Sequence, residues 1–183
     1  MVWSCLVSIL PGMAQTEKLT DYVNPFVGTD GYGNVYPGAQ IPFGGIQISP
    51  DTDSRFYDAA SGYKYNHLTL MGFSLTHLSG TGIPDLGDFL FIPGTGEMKL
   101  EPGTHEDPDQ GYRSRYSHDK EWASPNYYAV ELADYGVKAE MTSGVRSGMF
   151  RFTYPESDNA FIMIDMNHTL WQSCESVSYT HLL

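Results

Sequence analysis

Strand periodicity dominates the second half of the chain. Residues 126–133 (NYYAVELA), 137–142 (VKAEMT), 148–154 (GMFRFTY) and 160–166 (AFIMIDM) are either apolar throughout or alternate apolar with polar positions. That is the period-two pattern of a strand with at least one buried face. Turn signals separate them: Asp134-Tyr135-Gly136, Ser143-Gly144 and the Pro- and Asn-containing stretch 155–159. Four runs with connections this short predict an antiparallel meander, with AFIMIDM as a buried strand. Earlier in the chain, residues 43–49 and 88–93 (DFLFIP) read as strands. Residues 64–70 and 72–78 are weaker strand candidates, and 113–122 reads as a mixed strand edge. Apolar residues recur nowhere at helical spacing, so no helix longer than about three turns is expected. The prediction is an all-β chain, an antiparallel β-sandwich of two packed sheets.

Residues 23–52 (VNPFVGTDGYGNVYPGAQIPFGGIQISPDT) break the pattern. Glycine costs about 1 kcal/mol and proline about 3 kcal/mol at an interior helical position, so this stretch is not a helix. Phe26, Val27, Val35, Tyr36, Ile41, Phe43, Ile46 and Ile48 make it too apolar for a solvated tether. It reads as a folded loop over a core. Gly28, Gly31 and Gly33 permit positive φ or close approach of a ligand, and Pro25, Pro37 and Pro42 stiffen the path. Such a loop is either one wall of a polar-ligand site or a purely structural cover.

With 41% hydrophobic residues, including 13 Tyr, 9 Phe and 3 Trp, the 183-residue chain can build a sizeable core. Its formal charge of −12 argues against nucleic acid or an anionic membrane as partner, since both need a positive face. A neutral glycan or a metal suits an acidic surface better. Cys5 and Cys174 imply no disulfide framework, and no apolar run reaches the ~18 residues of a membrane span. Residues 1–14 (MVWSCLVSILPGMA) read as a clipped secretory signal, with small residues before a mature start at Gln15. The alternative for them is a buried N-terminal strand. Residues 177–183 (VSYTHLL) drop the strand pattern. The native sequence is therefore expected to stop between Gln172 and Glu175, leaving 15–175 as an incomplete sandwich and 176–183 as a non-native tail.

The 23–52 stretch resembles the N-terminal signature of the family 92 glycoside hydrolases, calcium-dependent exo-α-mannosidases. Further blocks match in order: Ser61-Gly-Tyr-Lys-Tyr, Gly72-Phe-Ser-Leu-Thr-His-Leu-Ser-Gly-Thr-Gly, Asp85-Leu-Gly-Asp, Ala123-Ser-Pro-Asn-Tyr-Tyr, Tyr135-Gly-Val-Lys-Ala-Glu-Met-Thr and Arg151-Phe-Thr-Tyr-Pro. Tyr32, Asn34, Leu75 and Phe150 stand where many members carry histidine. The resemblance implies a secreted or periplasmic bacterial enzyme that removes a terminal mannose from α-1,2-linked glycans with inversion. It implies an N-terminal β-sandwich packed on a C-terminal (α/α)6 helical domain, which supplies the acid, the base and most calcium ligands. That helical partner has no matching positions here, so the fragment alone is expected to be inactive.

Inverting glycoside hydrolysis needs two carboxyl groups about 6.5–9.5 Å apart. Asp85 and Asp88 are the tempting pair, but aspartates in a Gly-bounded turn ordinarily bond nearby backbone N–H groups. No catalytic residue and no metal ligand is therefore assigned. Substrate contact remains. Phe26 and Gly28 are candidates for a rigid wall against a mannose-containing glycan. Asp51 is a candidate acceptor for sugar hydroxyls, or else a turn cap after Pro50. His77 is a sugar contact or a satisfied core histidine, and Trp122 a stacking face or core packing. His105 and His118 lie outside any zinc spacing. The rival function is a stand-alone carbohydrate-binding or interaction β-domain without catalysis.

Overall fold

The computed structural model describes residues 17–54 and 59–170. The expected signal sequence, the expected tail, both cysteines and the loop positions Arg55 and Asp58 lie outside those residues. Ten strands carry the fold: β1 (Ser49–Asp51), β2 (Thr69–Leu70), β3 (Gly72–Ser74), β4 (Leu90–Thr95), β5 (Ser114–Arg115), β6 (Glu121–Ser124), β7 (Tyr127–Leu132), β8 (Val137–Ser143), β9 (Gly148–Thr153) and β10 (Ala160–Asp165). The helices among the described residues are short 3-10 turns such as Leu19–Tyr22, in accord with the absence of helical periodicity. The chain is all-β, and every strand pair is antiparallel.

One sheet runs in the order β6-β7-β8-β9, a second β1-β3-β4-β10, and β2 pairs with β5 in a small third. Within the first, β7, β8 and β9 follow the meander expected from its turn residues, with β6 added at its edge. Asn126 takes a positive φ of 60° between β6 and β7, and its amide side chain holds the far end of β8 through Ser143 N–H and Ser143 carbonyl. Gly136, at φ 64°, closes β7 onto β8. The two large sheets face each other across one core. Tyr128, Val130, Leu132, Val137, Ala139 and Met141 point in from β7 and β8 and meet Ile48, Tyr63, Leu70 and Phe73. Burying a side chain such as Phe73 stabilises the fold by about 1.5–3 kcal/mol. On the outer side of β4, a smaller cluster gathers Met71, Leu90, Ile92 and Tyr112.

Two strand expectations are corrected. Residues 43–49 are not one strand. Pro42-Phe43 form a turn in which Gly44 N–H donates to Ile41 carbonyl, and Phe43 sits at φ 59°, fully exposed. The paired glycines remove strand propensity there, and pairing begins only at the Ala39–Ile48 bridge and β1. The second correction concerns 160–166. It leaves the meander, crosses over and pairs along β4. Gly94 explains the partner, because a Cβ there would lie 2.4 Å from the Phe161 ring that covers it. Nor is β10 buried, since Ile162 and Ile164 are half exposed. Opposite β4 stands Phe150 of β9, 4.9 Å from Phe91 between ring centroids. The facing sheet ends at β9, so among the described residues no strand covers β10.

Candidate functional site

The glycine-rich loop is held from both ends. Its first turn is an Asx turn, with Phe26 N–H donating to Asn24 Oδ1 at 3.0 Å. Gly28 follows at φ 86°, and its carbonyl accepts Val35 N–H. Gly33 packs on that carbonyl so closely that a Cβ would sit 2.2 Å from it. The segment 64–65 then clamps the loop: Tyr65 N–H donates to Thr29 carbonyl at 3.0 Å, and Lys64 Nζ donates to Gly31 carbonyl. Asn34 carbonyl accepts Gly80 N–H at 2.7 Å. The result is a fixed rim in which Phe26 and Gly28 are half-buried while Val27 and Tyr32 stand exposed.

Beneath the rim lies a histidine-rich polar layer. Asp51 is sealed from solvent, yet both its carboxylate oxygens are satisfied: His77 Nε2 lies 2.8 Å from Oδ1 and His168 Nε2 lies 2.7 Å from Oδ2. The other nitrogen of His77 meets Gln47 carbonyl at 2.7 Å, and Ser74 Oγ is 3.0 Å from Nε2. Burial alone would raise the Asp51 carboxyl, but attraction and hydrogen bonding by the two imidazoles outweigh it and hold the group well below the ordinary carboxylate range. Gly62 makes room for the group, since at φ 83° a Cβ would stand 2.1 Å from Asp51 Oδ1. Next door, His105 bridges Asp53 Oδ2 at 3.1 Å and Thr69 Oγ1 at 2.8 Å, while His67 Nδ1 meets Thr52 Oγ1 at 2.9 Å.

A second buried carboxylate ties the loop to the meander. Glu121 accepts Tyr63 Oη at 2.9 Å and Tyr128 Oη at 2.5 Å, and His118 Nδ1 lies 2.6 Å away. His118 Nε2 meets Tyr65 carbonyl at 2.7 Å, and its ring stacks flat on Tyr65 with centroids 3.9 Å apart. Phe26 closes the chain of contacts, edge-on to Tyr65 at 5.8 Å. Burial, and behind it the charge of Glu121, pushes the Tyr128 and Tyr116 phenols upward. They stay neutral and act as hydrogen-bond donors.

The structure thus joins Phe26 and Gly28 in one loop and binds Asp51 to His77 below it. The oxygens of Asp51, considered as acceptors for a sugar, are both occupied by imidazoles here. Trp122 goes elsewhere: it is 45% exposed on the outer face of β6, with Lys138 Nζ 5.7 Å from its ring centroid. Asp85 Oδ1 accepts Leu86 N–H at 2.8 Å, the local bond of a turn aspartate, whereas Asp88 Oδ2 accepts Thr76 Oγ1 at 2.7 Å across 12 residues. The sequence singles out neither His168, Glu121 nor Tyr63, and His118 is considered there only as a zinc ligand and set aside. The only hint was the spacing Asp51-Thr52-Asp53.

The fold is an antiparallel β-sandwich with a glycine-rich rim over buried carboxylates. The family model of the glycosyl hydrolase family 92 N-terminal domain matches residues 22–181, and the chain belongs to that family. An uncharacterized secreted glycosidase of Arthroderma benhamiae is 30% identical over 139 residues, covering 75% of this chain and 17% of its own. Among solved structures, the family GH92 glycosyl hydrolase ccman5 superposes with TM-score 0.68 at 30% identity. The family GH92 inverting mannosidase of Bacteroides thetaiotaomicron does so with 0.65 at 27%. Each match covers 82% of this chain, which spans only 20% of each solved relative.

Proposed function

We propose that this chain is the sugar-facing β-sandwich of a secreted, inverting exo-α-mannosidase, of α-1,2 preference, with Phe26 and Gly28 forming a rigid wall beside the terminal mannose. The observation that carries the reading is the structural likeness to an inverting mannosidase over 82% of the chain. Secretion is supported by the relative described as secreted. Among the described residues no helix is long and apolar enough to cross a membrane.

In this reading the catalytic acid and base come from the remaining length of the relatives, with a helical domain as the partner of the sandwich. Calcium, a hard cation that takes oxygen ligands, would supply polarisation of sugar hydroxyls there. The described residues do not fit such an ion. No group of three or more His, Cys, Asp or Glu side chains among them is placed to hold a metal ion, and the Asp51 oxygens face imidazoles. No step of this chain is routed through calcium.

What the chain contributes is positioning. Hydrogen bonds from both flanks fix the rim, so a sugar ring meets a preformed wall and little ordering remains to be done on binding. The test compares the 183-residue chain with the product of the gene extended downstream, each on α-1,2-mannobiose with calcium and with chelator. Mannose release only by the extended protein, and only with calcium, is expected. Release by the chain alone, or none by the extended protein, overturns the reading.

A further inference from the structure

The face of the β6–β9 sheet turned away from the core carries a feature that the loop site does not use. Registry puts Trp122, Ala129, Glu140 and Arg151 in one row across the four strands. Ser124 with Tyr127, and Thr142 with Met149, form the row beside it. Ala129, a single methyl between two larger neighbours, lets Lys138 Nζ reach within 5.7 Å of the Trp122 ring centroid. Beside them, Tyr127, Glu140, Met141, Thr142, Met149 and Arg151 line a depression of about 200 Å³.

Glu140 organises that depression. Arg151 grips it with Nε at 2.8 Å and Nη2 at 2.6 Å, Tyr127 Oη donates at 2.7 Å, and Lys138 Nζ stands at 3.5 Å. The hydrogen bonds of Arg151, then of Tyr127, hold its carboxyl down to about 2, so the network keeps one geometry at neutral pH. Three partners thus fix one carboxylate, while the Arg151 side chain stays 71% exposed and keeps N–H groups for solvent or a ligand. Trp122 and Tyr127 are diagonal neighbours on adjacent strands, a spacing of about 7–8 Å.

We propose that this outer face is an accessory binding site for a neutral oligosaccharide, stacked on Trp122 with a second ring in the Tyr127–Arg151 depression. The chemistry selects a neutral glycan. Aromatic faces beside fixed polar groups suit the apolar and hydroxylated sides of a pyranose. Glu140 offsets one of the two positive charges of Lys138 and Arg151, and a net charge of −12 repels an anionic polymer. The depression is smaller than the roughly 300–1,000 Å³ of a drug-sized pocket, which fits a single ring. That the glycan is a mannan rests on the proposed function. The site itself does not.

Affinity electrophoresis of the chain in gels containing α-mannan, or heparin as an anionic control, tests this. Trp122→Ala and Arg151→Gln are run alongside, each checked by thermal melting. Retardation by mannan is expected, weakened about tenfold in Trp122→Ala, as for an aromatic anchor removed from a ligand, and reduced in Arg151→Gln. If Trp122→Ala does not melt cooperatively, Arg151→Gln decides. No retardation, equal retardation of wild type and folded variants, or stronger retardation by heparin overturns the site. Retardation without mannose release by the extended protein keeps the site and removes the mannosidase reading; release without retardation does the reverse.

Discussion

Replacing Asp51 by asparagine tests the centre of the polar layer. The change keeps the shape and removes the charge, so one amide oxygen still faces one imidazole while an amide N–H₂ faces the other at 2.7–2.8 Å. Giving up a buried hydrogen bond to a charged carboxylate costs about 1.5–3 kcal/mol. For a domain of this size, 1 kcal/mol moves Tm by about 2–4 °C, so Tm is expected to fall by roughly 3–12 °C. The bond to His168 spans 117 residues, so the variant also releases the end of the described chain from β1. Calorimetry at pH 7 with Asp51→Asn, His168→Ala and the double variant separates the two effects, since directly coupled residues give non-additive losses. The sign with pH follows from the lowered carboxyl. A depressed pKa contributes stability that is fully present above the unfolded value near 3.8 and is lost as pH falls through the folded one. The gap between wild type and Asp51→Asn in the Asp51 contribution therefore closes only below about pH 4. A variant that melts within 2 °C of wild type at pH 7 would refute the reasoning and leave Asp51 as a turn cap.

The rim and the open sheet edge give two more expectations. Gly33→Ala pushes a methyl into Gly28 carbonyl, where only 2.2 Å is available, so amide exchange of residues 28–35 should rise while the meander stays protected; unchanged protection of the loop would contradict the clamp. Ile162→Lys with Ile164→Lys places charge on an uncovered strand, the device natural edges use against association, and light scattering should show less self-association than wild type. Equal association of the two proteins would move the sticky surface elsewhere.

β7, β8 and β9 are legible within a residue or two, because β8 and β9 alternate, β7 is apolar over most of its length, and each is closed by Gly, Asn or Asp in a turn. The short strands β1 to β3 were harder. Each is buried on both faces, so no alternation exists to be read, and the glycine-rich approach to β1 looked extended through Phe43 when it turns there. The rim was legible as a rigid loop, since its glycines and prolines leave few other conformations. The layer beneath it was not. Asp51 meets His77 from 26 residues away and His168 from 117, and local composition carries no signal over such distances. Only the topology brings them together.

Strand β10 shows the same limit from the other side. AFIMIDM reads as buried because five of its seven residues are large and apolar or aromatic, with Ala at its start. Its pairing to β4 satisfies the backbone groups on one edge of the strand and buries one face partly, through Met163 against Leu90 and Ile92. The other face holds Ile162 and Ile164, in line with Phe91, and Phe150 of β9 lies across Phe91. An apolar run records that a strand has evolved to be covered on both sides. What covers it is decided by the width of the opposite sheet, a property of other segments. Here that sheet stops at β9 while the apolar pattern continues for one more strand. The exposed isoleucines of β10 are the consequence, and the lysine variants measure how strongly that face drives association.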